Sequence, residues 1–347
     1  MNQPNLAVKI GKKVIGDGQP CYIIAEAGAN HNRDMRIAKK LIEMAAEAGA
    51  DAVKFQTYSA ETLYSKKTPK FTYLKDQDVF KLIKDIELPR EWQAELSDIC
   101  KDNGVHFLSS PFDNRAIDEL AALKVLAFKI ASFEIVDLDL IGYAASKKRP
   151  MIISTGMADL TDIEDAMRTV LGKGNNDIVL LHCNSLYPTP FNIINLRAMD
   201  TMRHAFKVPV GFSDHSLGTI IPLVAVARGA SVIEKHFTLD RKLKGPDHPF
   251  AIEPDELKQM CKGIRDVETA LGTGIKQRSP EEAEMYLKGR RSLVARVDIP
   301  KGTKITEKML VNKRPGHGIL PKFKKMVVGR TARKDIEEDD VLTWDMV

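Results

Sequence analysis

Two histidines, three glutamates and two lysines of this 347-residue chain stand inside apolar runs or just past their ends. His215 and His236 lie beyond the runs 208–212 and 232–233. Two neutral imidazoles side by side can hold a divalent metal and leave positions for water and substrate. The same placement serves two hydrogen-bonded histidines without a metal. Glu26, Glu134 and Glu234 sit where a carboxylate can ligate metal, bind hydroxyls or carry protons. Glu134, two residues past Ser132 in an expected loop, is the best placed general base. Glu234 precedes Lys235 and is expected to alternate away from His236, or to form a structural ion pair. Lys54 and Lys129 interrupt apolar runs, which is expensive unless each is paired or faces a ligand. With Ser110, Ser132 and Ser213 they make a cradle for phosphate and carboxylate; the alternative is a buried Lys–Glu pair. Asp247, in Gly245-Pro246-Asp247-His248, suits sugar hydroxyls, although such a segment is also ordinary turn chemistry. Cys183 ends a run, where it can line the site or fill core, and core filling is the expectation.

Eight apolar runs must position these groups: 21–25, 52–55, 105–108, 127–131, 151–153, 178–181, 208–212 and 232–233. They do not alternate with polar residues, so both strand faces are expected to be buried. Helix-length amphipathic stretches separate most of them. Eight buried strands alternating with helices predict a (β/α)₈ barrel, which carries its chemistry at the C-terminal strand ends. Residues 6–18 read as a hairpin able to plug the opposite mouth. Gly49 and Gly272 stop two helices, and Thr161-Asp162-Ile163-Glu164 is a candidate capping box. The longest interruption, 59–89, contains Lys66-Lys67-Thr68-Pro69-Lys70 and a short helix around 79–83. An insertion of this length after a strand is expected to form a lid or substrate wall. The pattern changes near residue 275. We expect the barrel domain at 1–275 (hairpin 1–20), a linker at 276–286 and a β-rich domain at 287–347. That last domain has strands near 292–295, 309–311, 327–328 and 341–344. It is too small for much core and is expected to lean on the barrel or on another subunit.

Composition narrows the class. The chain is 44% hydrophobic and 29% charged, with a net charge of +5 spread along it. No basic block interleaved with aromatics argues for nucleic acid. No apolar run is long enough to cross a membrane, and the first residues lack a signal-peptide core. The four cysteines form no CxxC pair, consistent with free thiols in the cytoplasm.

Taken in order, several motifs resemble the sialic acid synthase (N-acetylneuraminate synthase) family. They are Ile24-Ala25-Glu26-Ala27-Gly28-Ala29-Asn30-His31-Asn32, Ala52-Val53-Lys54-Phe55-Gln56-Thr57 and Lys129-Ile130-Ala131-Ser132-Phe133-Glu134. Further on come Ser154-Thr155-Gly156-Met157, His182-Cys183-Asn184-Ser185-Leu186-Tyr187-Pro188-Thr189-Pro190, Gly211-Phe212-Ser213-Asp214-His215 and Ile233-Glu234-Lys235-His236-Phe237. Lys313-Arg314-Pro315-Gly316-His317-Gly318 resembles part of the family's antifreeze-like (SAF) domain. The resemblance implies condensation of phosphoenolpyruvate with an N-acylated mannosamine-type aldehyde, giving a nine-carbon 2-keto acid and phosphate. N-acetylmannosamine is the first expected acceptor. Its 6-phosphate, or a di-N-acetylated 6-deoxy hexose leading to legionaminic or pseudaminic acid, are the alternatives, with the Gly245–His248 loop closer to the sialic and legionaminic branches. The resemblance also implies roles. His215 and His236 would hold Mn²⁺, or Mg²⁺ or Co²⁺. Lys54, Ser110, Lys129, Ser132, Ser185 and Ser213 would bind phosphoenolpyruvate, with Ser185 standing where an asparagine is common. Glu26, Gln56, Tyr187 and Asp247 would surround the sugar, and Glu134 would manage protons. The SAF domain would reach across a domain-swapped homodimer and lay Arg314 over the partner's site. A metal-dependent barrel hydrolase and a non-catalytic carbohydrate-binding protein are the readings from other classes. The first would need more strand-end histidines; the second would be expected to have lost Lys129, Glu134 or a metal histidine.

Overall fold

The computed structural model describes residues 3–69 and 78–347. The chain divides into two compact units, 1–272 and 273–347. The first opens with an antiparallel hairpin, β1 (Ala7–Ile10) and β2 (Lys13–Gly16), with Val8 opposite Ile15. Eight strands follow: β3 (Tyr22–Gly28), β4 (Ala52–Thr57), β5 (His106–Pro111), β6 (Phe128–Ile130), β7 (Met151–Ser154), β8 (Ile178–Cys183), β9 (Val210–Asp214) and β10 (Val232–His236). They form one parallel sheet in the order β5-β4-β3-β10-β9-β8-β7-β6. The outer strands β5 and β6 lie side by side and bring the sheet round into a barrel, without a hydrogen-bonded ladder between them. The expected (β/α)₈ barrel is the observed fold.

Strand periodicity sorts the side chains. Ile23, Ala25, Val53, Phe55, Phe107, Phe128, Ile130, Ile153, Leu180, Phe212 and Ile233 pack outward in the main core with the helices. The alternate residues Tyr22, Ile24, Ala52, Leu108, Ile152, Val179, Leu181 and Val232 form a second, inner core. Val8, Ile10 and Ile15 of the hairpin join that inner core, so the hairpin closes the N-terminal mouth as expected. Toward the other mouth each inward column turns polar. Ile24 gives way to Glu26, Ala52 to Lys54, Leu108 to Ser110 and Ile152 to Ser154. Leu181 gives way to Cys183, and Val232 to Glu234 and then His236.

The helices follow from their own sequences. Met35–Ala48 buries Ala38, Leu41, Ile42 and Ala45 at helical spacing. It stops at Gly49, whose φ of 89° is the left-handed conformation that glycine tolerates best. Leu160–Gly172 is capped two residues before the expected Thr161. Asp159, not Thr161, is its cap: the carboxylate accepts the N–H groups of Thr161 and Asp162, and Asp162 reaches back to the Asp159 N–H. The insertion after β4 carries helices Ala60–Leu63 and Val79–Ile86; Lys70 and the rest of 70–77 lie outside the described residues. Among the described residues, no helix is long and apolar enough to cross a membrane.

In the second unit, β11 (Ser292–Ala295) pairs antiparallel with β12 (Leu310–Lys313) over a small core that includes Leu293, Ile299, Ile305, Ile336 and Leu342. Three expectations change here: the strand expected at 341–344 is a single bridge from Val341 to Val294. The segment expected as a linker is partly helical, with Ala283–Lys288 crossing its end. Val327 closes a helical turn, Lys324–Val327, instead of forming a strand, and its side chain fills the core.

Candidate functional site

The polar ends of the inward columns line a cavity of about 440 Å³ at the C-terminal ends of the strands, within the usual range for small-molecule sites. Its floor is a buried chain of charges. Gln56 Nε2 donates to Glu26 Oε1 at 2.8 Å, and Glu26 Oε2 lies 2.7 Å from Lys54 Nζ. Lys54 also reaches Ser110 Oγ (3.2 Å) and approaches Glu234 (3.8 Å). Glu234 in turn lies 3.4 Å from Lys129 Nζ and accepts a 2.9 Å hydrogen bond from Ser213 Oγ. Two ammoniums thus face two carboxylates with little water to screen them. Removing one partner of a buried pair typically costs about 3–5 kcal/mol.

Hydroxyls complete the floor. Gly156 N donates to Ser132 Oγ at 2.9 Å. A Cβ at Gly156 would fall on Ser185 Oγ and come within 2.8 Å of Ser132 Oγ, so the close approach of the chain there requires glycine. The Ser154 and Ser185 hydroxyl oxygens are buried without hydrogen-bond partners. Buried polar atoms normally have partners, so these two are suited to an incoming anion.

The site also shifts its acids. Burial, and secondly the neighbouring Glu234 charge, push Glu26 up to about 7 despite the Lys54 ammonium. Burial opposes the charge on Glu234 as well, but Lys129 and Lys54 hold that carboxyl below the usual range. Glu134, in the turn Ser132–Glu134 after β6, rises to about 7 through burial, against the pull of Lys129. Its Oε2 has no hydrogen-bond partner. Burial lifts Asp247 to about 6.

His215 and His236 stand with ring centroids 5.3 Å apart. His215 Nδ1 is 2.8 Å from the Asn184 carbonyl oxygen. A carbonyl only accepts, so Nδ1 carries the proton, and in the neutral ring Nε2 keeps a lone pair. Burial, then the His215 and Lys54 charges, hold His236 well below its ordinary value, so it is neutral near pH 7; on His215 burial is outweighed by the Cys183 sulfur beside it, and the ring is shifted upward. Its buried Nδ1 has no hydrogen-bond partner, and Asp247 Oδ2 lies 3.6 Å away. These features fit a pair of imidazole ligands. Among the described residues no three His, Cys, Asp or Glu side chains converge as a metal cluster, so an ion here would take its other ligands from water or substrate. Tyr187 packs 4.3 Å from the His215 ring and Phe250 5.1 Å from His236.

The sequence model of the NeuB family matches residues 41–276, more than half of the chain. The chain belongs to the NeuB family. A SAF-domain model matches residues 290–347. The N,N'-diacetyllegionaminic acid synthase of Legionella pneumophila is 42% identical over 346 aligned residues, covering 97% of both proteins. The pseudaminic acid synthase of Helicobacter pylori is 39% identical, covering 94% of this chain and 98% of that protein. The crystal structure of a sialic acid synthetase from Leptospira borgpetersenii, in complex with citrate, superposes with a TM-score of 0.74 at 34% identity, covering 82% of this chain and 96% of that one. This NeuB-family chain is thus an enzyme of the sialic, legionaminic and pseudaminic acid synthase group.

In this NeuB-family barrel, Glu26, Lys54, Gln56, Ser110, Lys129, Ser132, Glu134, Tyr187, Ser213, His215, His236 and Asp247 all line the one cavity. Ser185 stands beside it, facing Gly156. Arg314 is exposed on the second unit, in the residue after β12. Two sequence readings are corrected. Glu234 does not turn away from His236. Residues two apart on a strand share a face, so both point inward, and it is Lys235 that turns outward to a buried pair with Asp214 at 2.6 Å. Cys183 is not mere core filling: it lines the cavity, with Sγ 3.7 Å from His215 Nδ1. Sequence reasoning gave Glu234 only as a candidate carboxylate or an ion-pair partner, and an ion-pair partner it is; it left Ser154 out of the site. Spacing from His236 was the available signal for the first, and position at a strand end for the second. Lys54 and Lys129 do form Lys–Glu pairs, yet they also face the cavity, so the two readings of these lysines are both partly right.

Proposed function

We propose that this chain condenses phosphoenolpyruvate with an N-acylated mannosamine-type aldehyde and releases a nine-carbon 2-keto acid and phosphate. The observation that carries this reading is the convergence of Lys54 and Lys129 with Ser110, Ser132, Ser154 and Ser213 in one cavity beside two imidazoles. A small substrate with a phosphate and a carboxylate needs fixed cations and hydroxyl donors of this kind. Its C3 forms a carbon–carbon bond to the aldehyde carbon, and the aldehyde oxygen takes up a proton. Water adds at C2 and gives up a proton. The C2–O bond to phosphate then breaks as the C2 hydroxyl passes its proton to the departing phosphate, leaving the ketone. Lys54, Lys129 and the serines hold the anionic groups and orient C3 toward the sugar, which is where positioning supplies rate. Glu134, poised near 7 and not hydrogen-bonded at Oε2, exchanges protons with the water or the tetrahedral centre. Gln56, Glu26, Tyr187 and Asp247 surround the acceptor. His215 and His236 would hold Mn²⁺ or a similar divalent ion, which would supply electrophilic polarisation of the aldehyde.

Exposed apolar residues crowd the loops beyond the same strand ends: Phe133 after β6, Met157 after β7, Leu186 and Phe191 after β8, and Leu217 and Ile220 after β9. We infer that a second copy of the chain covers this collar in a domain-swapped homodimer, bringing its Arg314 to the acceptor. The buried free thiols of Cys21, Cys100, Cys183 and Cys261 suit a reducing, cytoplasmic compartment. The test of the reaction is incubation with phosphoenolpyruvate, Mn²⁺ and candidate acceptors, N-acetylmannosamine among them. A product whose mass equals both reactants plus water minus phosphoric acid is expected. Hydrolysis without carbon–carbon bond formation would favour a barrel hydrolase instead, and no consumption of phosphoenolpyruvate with any acceptor would overturn the synthase reading.

A further inference from the structure

A buried ion pair lies behind the two imidazoles, on the outward face of the same strands. Lys235 Nζ is 2.6 Å from Asp214 Oδ2, and both side chains are buried. Asp214 immediately precedes His215, and Lys235 immediately precedes His236. Strand register sets the two partners opposite each other on β9 and β10. Asp214 Oδ1 also accepts the Ser216 N–H at 2.9 Å, and Lys235 Nζ donates to the Ser216 carbonyl oxygen. β9 ends at Asp214, so His215 stands just past the strand, between two residues that Lys235 holds. On its other side the His215 carbonyl oxygen accepts the Thr189 N–H at 3.0 Å, and its ring proton goes to the Asn184 carbonyl oxygen. Successive side chains of a strand point to opposite faces. Asp214 and Lys235 accordingly do not line the cavity.

A buried ion pair contributes little to stability that well-packed apolar side chains of similar size would not. Stability alone therefore does not account for two charges at this place. Resting on the reading of His215 and His236 as metal ligands, we propose that Asp214 and Lys235 are positioning residues for that site. The pair ties β9 to β10 directly behind the imidazoles and fixes the turn Asp214–Ser216, which holds the two rings at their 5.3 Å separation. It thereby sets the affinity for the divalent ion without touching ion or substrate. Groups that orient metal ligands from behind are typically worth roughly 10–100-fold in metal affinity.

The experiment compares the full chain with the double variant Asp214→Asn/Lys235→Met, with Asp214→Asn alone, and with His215→Ala as the reference for a lost ligand. Equilibrium dialysis of each metal-free protein against Mn²⁺ alone gives the Kd, and urea unfolding without metal gives the stability. The double variant leaves no buried charge without its partner, so its urea midpoint is expected at or above that of the unaltered chain. Its Mn²⁺ affinity should nevertheless fall by roughly 10–100-fold, with phosphoenolpyruvate binding to the metal-free protein unchanged. A merely structural role would move stability and Mn²⁺ affinity together. A double variant that binds Mn²⁺ as tightly as the unaltered chain would overturn the positioning role and leave the ligand reading intact. If the double variant does not fold, Asp214→Asn decides: it keeps the volume and an acceptor for the Ser216 N–H but gives up the charge on which Lys235 rests. Weakened Mn²⁺ binding by the folded single variant is expected, and unchanged binding would overturn the role. Mn²⁺ binding by His215→Ala equal to that of the unaltered chain would remove the ligand reading and this inference together.

Discussion

Glu134 offers a measurement in which stability and activity move in opposite directions. Burial lifts its carboxyl from an ordinary 4.5 to about 7. Between those two values the native state binds the proton more tightly than the unfolded chain does. Acid therefore favours the fold through this group, and its contribution is lost as pH rises through 7. At about 1.36 kcal/mol for each pH unit, the loss across the window comes to about 3 kcal/mol. Glu134→Gln has no proton to give up and avoids that loss. Urea unfolding of both proteins, followed by far-ultraviolet circular dichroism at pH 5 and pH 8, reads the effect directly. The stability gap should widen by about 3 kcal/mol in favour of the variant as pH rises. The other titrating groups are shared by the two proteins and largely cancel in the difference. The variant should nonetheless lose roughly 10²–10⁴-fold in kcat, the usual worth of a positioned acid or base. A gap that stays constant with pH would refute the buried, proton-holding carboxyl. A near-native kcat would reduce Glu134 to a structural residue.

Chelation is expected to abolish turnover and Mn²⁺ to restore it. His215→Ala and His236→Ala should each lose Mn²⁺ binding in equilibrium dialysis with an unchanged circular dichroism spectrum; full turnover by rigorously metal-free enzyme would refute the ligand assignment. Subunit exchange between Arg314→Ala and Glu134→Gln proteins, each nearly inactive alone, tests capping by a partner. If Arg314 acts on the other subunit's barrel, one site of the mixed dimer carries both lesions and the other neither, so activity returns. Verified heterodimers that stay inactive would refute the swap.

Much of the site is legible in the sequence because the information is local. A strand's two-residue period assigns each side chain to a face, and the change from Ala52 to Lys54, or from Leu108 to Ser110, marks where the inner face leaves the apolar core for the cavity. The same period, applied consistently, would have placed Glu234 beside His236 on the inner face. The hairpin plug and the Gly49 helix stop were readable for similar reasons. The cap of the helix at Leu160 was not, since Asp159 and Thr161 both lie within reach of the first turn and only the hydrogen bonds separate them. Which charges would meet was not written locally either. Glu234 pairs with Lys129, 105 positions earlier in the chain and across the barrel, because closure and strand register bring those columns together. The apolar side of the cavity, Val79, Leu82, Ile83 and Ile86, was visible only as a short helix, and its orientation toward the cavity depends on how the insertion folds back over β4 and β5. Residue type and period determine what each strand end can offer; the closing of the ring, an interaction among distant segments, decides which of those offers share a site.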